Sequence, residues 1–355
     1  MRVLLLSRYG RLGASSRVRS YQYLPTLQAS GIHVTSVPLL DDGYVADLYA
    51  GRPKHIRRIV GAYLRRLWHL SRCFRFDLLW IEYELLPWLP AWGETLLASL
   101  GIAYLVDYDD AVFHRYDLHR NVLVRAALGE KIDVIMRKAA LVIVGSDYLA
   151  DRARRAGARR IEYLPTVVDL NRYQLAGEPG NSLYTIGWIG SPITVPYLQL
   201  VRDALAEICQ GGTGRLTLVG AREPTLDGVR TVIRPWSEDT EVSEIQQFDV
   251  GIMPLPDQPW ERGKCGYKLI QYMACGRPVV ASPVGANTQI VEPGVNGFLA
   301  TTTAEWTDAL RALREVAPRA RMGRAGRAKV ERDYSLQVTG PRLAAILHSL
   351  GRGVG

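Results

Sequence analysis

Short apolar runs alternate along this chain with longer segments in which apolar residues recur every three to four positions. The first pattern predicts buried strands and the second amphipathic helices. In the first half, strands are expected at 3–7, 33–37, 78–82, 104–107, 141–144 and 161–164, with helices at 16–29, 56–72, 91–100, 121–139 and 147–156. A polar stretch at 176–182 reads as a hinge. Beyond it, strands are expected at 185–189, 216–219, 231–233, 250–253 and 278–281. Helices are expected at 197–210, from about Gly266, and at 305–314, 319–333 and 337–350. Strand–helix alternation of this kind forms parallel, doubly wound sheets, so the chain is expected to be an α/β protein of two halves, with a ligand cleft at the carboxyl ends of their strands.

Composition narrows the class. A chain of 355 residues, 48% of them hydrophobic, is long enough for two domains with packed cores. Cys73, Cys209, Cys265 and Cys275 are too scattered for a disulfide framework or a zinc site, which fits a reducing compartment. The apolar start is too short for a signal peptide, and the apolar stretch from Leu78 to Val106 is interrupted by Glu82, Glu84, Pro87, Pro90 and Glu94. A soluble, cytoplasmic chain is therefore expected. Its net charge of +9 is uneven: Arg52, Lys54, Arg57, Arg58, Arg65, Arg66, Arg72 and Arg75 occur with no acid among them. Apolar residues from Ile56 to Leu70, Trp68 included, are interleaved at near-helical spacing. Two readings stand: a basic amphipathic helix on an anionic membrane, or a domain helix with a buried apolar face and a solvated arginine face. No nucleic-acid module accompanies the charge, so no nucleic-acid partner is expected.

The candidate chemistry lies after strands. The segment from Gly263 to Ser282 places Lys264, Gly266 and Lys268 at a turn before a helix, where N–H groups and ammonium charge suit a phosphate. After the first strand, Gly13 permits close backbone approach, Ser15 or Ser16 is placed to cap a helix, and Arg17 and Arg19 bring charge. Gly190, Ser191 and Thr194 follow the first strand of the second half. Asp107, Asp109 and Asp110 admit three readings: a DxD metal site, a proton-handling carboxylate facing the cleft, or a turn cap. The cleft-facing reading is favoured, with Asp110 ahead of Asp109. His114 and His119 lack partners at metal-ligand spacing and receive no role.

The run from Gln271 to Ser282 resembles the E-A-M-A-x-G-x-P-V-V-A-S motif of family 4 glycosyltransferases of the GT-B fold. Gly285, Ile290-Val291-Glu292, the Gly294–Leu299 segment and the Leu164–Asp169 hinge extend that resemblance along the chain. It implies two Rossmann-like domains facing a central cleft: an acceptor-side domain at 1–168, a nucleotide-sugar domain at 169–334, and a C-terminal helix at 335–355 packing back towards the first. It also implies a retaining transferase that uses a nucleoside-diphosphate sugar, with no cofactor and no metal. The amides of Gly266 and Tyr267 would cradle the diphosphate, and Lys264 and Lys268 would stabilise its departing charge. The family's E-x7-E motif falls on Gly263 and Gln271, so Gln271 is left to bind ribose and Glu261 to reach back for the missing carboxylate. The family's Arg and Lys are replaced by Ser191 and Thr194. Glu82, Glu84 and Asp109 are placed with Asp110 on the acceptor side. The expected acceptor is a cell-envelope or polysaccharide saccharide or glycolipid, met at the inner face of the cell membrane. Rival readings are a GT-B epimerase or phosphorylase, and a catalytically impaired nucleotide-sugar-binding or membrane-docking protein.

Overall fold

The structure is a computed structural model describing residues 1–53, 55–175, 177, 179–180, 182–221 and 226–351. Lys54 of the basic run, and Ala176, Glu178 and Asn181 of the expected hinge, lie outside the described residues. The chain divides into two compact units. The first comprises Met1–Thr166, Gly263–Cys265 and Thr339–Gly355; the second comprises Val167–Arg262 and Gly266–Val338.

The first unit holds strands β1 (Arg2–Leu6), β2 (His33–Ser36), β3 (Leu78–Glu82), β4 (Tyr104–Tyr108), β5 (Leu141–Val144) and β6 (Ile161–Tyr163). They form one parallel sheet in the order β2-β1-β3-β4-β5-β6. Its central strands are buried on both faces, which is why they read as unbroken apolar runs. Around it lie α1 (Ala14–Arg19), α2 (Leu24–Ala29), α3 (Asp42–Tyr49), α4 (Ile56–Leu70), α5 (Trp92–Ser99), α6 (His114–Asp117), α7 (Val122–Leu128), α8 (Lys131–Lys138) and α9 (Asp147–Ala156). The expected helix at 16–29 breaks into α1, a 3-10 turn and α2, because Pro25 starts a helix rather than continuing one. The expected helix at 121–139 likewise splits into α7 and α8. Sequence patterning missed α3, although Asp41 caps it by accepting a hydrogen bond from the Tyr44 N–H.

The second unit repeats the architecture with β7 (Tyr184–Ile189), β8 (Gly214–Val219), β9 (Thr231–Arg234), β10 (Val250–Met253), β11 (Val279–Ala281) and β12 (Gly297–Leu299). The sheet order is β12-β11-β10-β7-β8-β9, again parallel. The helices are α10 (Arg202–Cys209), α11 (Glu241–Ile245), α12 (Pro259–Arg262), α13 (Tyr267–Ala274), α14 (Asn287–Ile290), α15 (Thr303–Ala312) and α16 (Val316–Asp333). A final helix, α17 (Leu336–Gly351), contributes its residues from Thr339 onward to the first unit. The expected helix at 197–210 begins instead as a 3-10 segment, Pro192–Val201, with Pro196 inside it. The two-half α/β organisation expected from the alternation is the one observed. Among the described residues, no helix is long and apolar enough to cross a membrane.

Candidate functional site

In a doubly wound sheet the strand order reverses at one point, and the carboxyl ends flanking it leave a crevice for a ligand. In the second unit that point lies between β7 and β10, paired through Val250–Ile186 and Gly251–Gly187. Neither Gly187 nor Gly251 has room for a side chain: a Cβ there would lie 1.9 Å from the Phe248 ring and 2.2 Å from the Tyr272 ring. Phe248 fills the room at Gly187, and the room at Gly251 seats Tyr272 of α13 against the sheet, where its hydroxyl accepts from the Ile189 N–H at 3.0 Å. Helix α13 is thereby fixed with its first turn beside the end of β7.

That register delivers Lys268 to Gly190 and Thr194. Lys268 Nζ lies 3.4 Å from Thr194 Oγ1 and 4.6 Å from the centroid of the Trp188 ring. A Cβ on Gly190 would lie 2.6 Å from Trp188 and 2.9 Å from Lys268 Cε, so only glycine leaves the ammonium its place. Ser191 precedes the 3-10 segment in extended conformation. Gly266 caps α13 at φ +67°, without a side-chain cap, and Tyr267 is its first residue. Gly190, Thr194 and Lys268 are thus brought together. Trp188 and Tyr272, which position Lys268, escaped sequence analysis because each looks like an ordinary core aromatic.

Two donor-side expectations are corrected. Gln271 is buried, and its Nε2 donates at 2.6 Å to Tyr173 Oη, which in turn donates to Glu241 at 2.8 Å. This amide serves a core network rather than standing open for ribose. Glu261 does not reach back for the missing carboxylate: it is buried and accepts from the Tyr197 hydroxyl.

Residues Gly263, Lys264 and Cys265 belong to the first unit. Gly263 packs on Ala111 so closely that a Cβ would lie 2.4 Å from the Ala111 Cβ and 2.8 Å from its backbone nitrogen. No glutamate fits there, which explains the departure from E-x7-E in steric terms. The close approach sets Lys264 Nζ 3.6 Å from Asp110 Oδ2, while Cys265 Sγ donates to the Asp109 carbonyl. Burial pushes the Asp110 carboxyl up to about 6, against the opposing pull of Lys264. Asp109 instead accepts from the Tyr83 hydroxyl, and Asp107 from Arg19 at 2.6 Å. The three carboxylates therefore turn to three different partners. Among the described residues, no group of three or more His, Cys, Asp or Glu is arranged to hold a metal ion.

Most of the remaining first-unit candidates are held by partners within that unit. Arg19 donates to Asp107 and to the Leu164 carbonyl, both arginine and aspartate being almost wholly enclosed. Arg17 is buried, with Nη1 donating to the Arg11 carbonyl. Gly13 caps α1, so Ser15 lies inside the helix and caps nothing. Glu84 is enclosed by Lys131 at 2.6 Å and the Tyr116 hydroxyl at 2.7 Å, and Arg8 and Arg115 lie at 3.4 Å. Glu82 accepts from the Arg8 N–H and the Ser16 hydroxyl across the β1/β3 reversal point. Arg66 is buried beside Ser7 there, donating to its carbonyl. Polar side chains thus fill the reversal point of the first sheet. His114 bridges Asp117 and Tyr148.

Residues 184–315 match the family described as glycosyl transferases group 1. No curated protein sequence matches the chain. Among solved structures, the chain is similar to sucrose-phosphate synthase of Thermosynechococcus elongatus, at 17% identity and a TM-score of 0.74, over 99% of this chain and 100% of that one. It is similar to Anabaena HepE in complex with UDP-glucose, at 17% identity and a TM-score of 0.71, over 98% and 100%. It is also similar to WaaG, a glycosyltransferase involved in lipopolysaccharide biosynthesis, at 14% identity and a TM-score of 0.71, over 98% and 99%. The segment 184–315 thus resembles the group 1 glycosyltransferases, and the chain as a whole has the GT-B fold of the structures it is similar to.

Proposed function

We propose that the chain is a retaining glycosyltransferase that moves a sugar from a nucleoside diphosphate to a hydroxyl of a saccharide or glycolipid acceptor, without a cofactor or a metal. The observation that carries this reading is Lys268, held by Trp188, Gly190 and Thr194 at the reversal point of the family-matching unit. When the bond between the anomeric carbon and the diphosphate oxygen breaks, its electron pair leaves with the diphosphate. An ammonium and the N-terminus of α13 stabilise that growing charge. The acceptor oxygen bonds to the face the diphosphate leaves, and its proton passes to a base; a carboxylate such as Asp110, with its pKa raised to about 6, has the basicity such a role needs near neutrality. The structure of Anabaena HepE with UDP-glucose supports a donor of this class.

A panel of UDP-, GDP-, ADP- and dTDP-sugars tests the reading by thermal stabilisation. A ligand at one hundred times its Kd stabilises the native state by about 2.7 kcal/mol. One donor should raise Tm, and nucleotide release should then depend on acceptor and on Lys268. Full turnover by Lys268→Ala would remove the leaving-group assignment. Stabilisation without release under any acceptor would favour a binding protein.

A further inference from the structure

Helix α4 turns its apolar stripe the unexpected way. Ile56, Val60, Leu64, Leu67 and Trp68 recur at three- and four-residue spacing along one face, and each is between 48% and 69% exposed. The buried face is formed by Ala62 and by Arg66. This apolar stripe therefore does not pack on the sheet, and of the helix's arginines only Arg66 is buried. Arg52 and Arg58 are satisfied by Asp47 and Asp41 of the α3 region. Arg57, Arg65, Arg72 and Arg75 face solvent beside the stripe, Arg72 lying 3.6 Å above the Trp68 ring.

A second stripe stands on α5. Trp92, Leu96 and Leu100, four residues apart, are between 54% and 71% exposed. The acid of this helix, Glu94, is buried and accepts from the Leu85 N–H, so the outward face carries no charge. The two helices are tied through the segment between β3 and α5: the Tyr63 hydroxyl of α4 donates to the Pro87 carbonyl at 2.6 Å. The next residue, Trp88, is exposed and held at φ +65°.

We infer that the outward stripes of α4 and α5 form one docking surface for an anionic lipid bilayer. Large apolar side chains enter the acyl boundary, tryptophans settle at the headgroup level, and flanking arginines meet lipid phosphates. A second copy of the chain is a poorer occupant, because an isologous contact would set these arginines against their own copies with no acid in the stripe to answer them. The inference does not depend on the transferase reading, and its test requires no turnover.

Sedimentation with vesicles of equal parts phosphatidylglycerol and phosphatidylcholine, against phosphatidylcholine alone, measures the surface. Binding should require phosphatidylglycerol and weaken in high salt. It should fall about tenfold or more in Leu64→Ser/Trp68→Ser and, separately, in Trp92→Ser/Leu96→Ser, since each leaves large apolar side chains out of the bilayer. Both pairs are exposed, so unchanged Tm confirms that folding is intact. Equal binding to neutral vesicles, or unaltered binding by both variants, overturns the inference. So does a dimer in size exclusion that dissociates in either variant while vesicle binding is absent.

Discussion

Gly190→Ala offers a sharp test of how Lys268 is held. The added methyl would lie 2.6 Å from the Trp188 ring and 2.9 Å from Lys268 Cε. Trp188 is enclosed in the core of the second unit, flanked there by residues such as Leu218, and has nowhere to move. The flexible lysine must yield. It would give up its 3.4 Å approach to Thr194 and its place over the indole, a contact of order 1 kcal/mol. Overpacking against Trp188 should cost about 1–3 kcal/mol of stability. If Lys268 stabilises the leaving diphosphate, complete loss of the ammonium should lower kcat by about 10²–10³-fold, and displacement by a good part of that.

The discriminating measurement is a double-mutant cycle with Lys268→Met, reading nucleotide release at saturating donor and correcting for folded fraction by Tm. Gly190→Ala should be harmful with Lys268 present and nearly silent with methionine in its place, because the two changes act through one group. Equal rate losses in both backgrounds would refute the argument, showing that Gly190 matters for some reason other than the position of the ammonium.

Three further outcomes follow from the same geometry. Lys264 draws the Asp110 pKa down while burial draws it up to about 6, so Lys264→Ala should move the acidic limb of the kcat/KM profile upward; a limb that stays or falls would separate Asp110 from the proton transfer. Burial pushes Glu82 up to about 7, so the native state binds the extra proton and stability falls as pH rises from about 4.5 to 7, by about 3 kcal/mol. Urea unfolding of Glu82→Gln should lack this decline, and parallel curves for both proteins would contradict it. Gly266→Ala places a Cβ 2.3 Å from Ile290 Cδ1 at a φ of +67°, and should cost about 1–2 kcal/mol for the backbone alone, with packing added. Ile290→Ala in the same chain should recover the packing share only, and recovery of the whole loss would show that the left-handed backbone costs nothing.

Much of this fold is legible in the sequence because parallel strands buried on both faces appear as unbroken apolar runs. The bounds of β3, β5 and β10 coincide with those runs. Short elements are less visible: α11, α12, α14 and β12 are only three to five residues long, too brief for a periodic pattern to establish itself. The candidate site is half legible for a related reason. Gly190, Thr194 and Lys268 announce themselves by following strands. Which strands are neighbours is a property of sheet order, so nothing in the local pattern tells that Trp188 lies beneath Lys268 or that Glu82 meets Ser16. Arg17 and Arg19 misled because charge after a first strand suggests phosphate, whereas Asp107, 88 residues later, is what Arg19 neutralises.

The departure from E-x7-E changes meaning once Gly263 is seen against Ala111. Lost glutamate alone would suggest a decayed site. Here the glycine is demanded by its surroundings, since any side chain would strike the Ala111 backbone nitrogen at 2.8 Å. The same approach seats Cys265 beneath Gly145, where a Cβ would lie 2.5 Å from Sγ, so two glycines on different elements fix three consecutive residues. What they fix is Lys264, 3.6 Å from Asp110, in the first unit, while Lys268 four positions later belongs to the second. Two lysines that look interchangeable in the sequence therefore lie in different surroundings: Lys264 beside the Asp110 carboxylate, and Lys268 over Trp188 and beside Thr194. A Gly263→Ala substitution should consequently alter the pH profile set by Asp110 before it alters donor-induced stabilisation. The reverse order would return Gly263 to the donor site where the family pattern puts it.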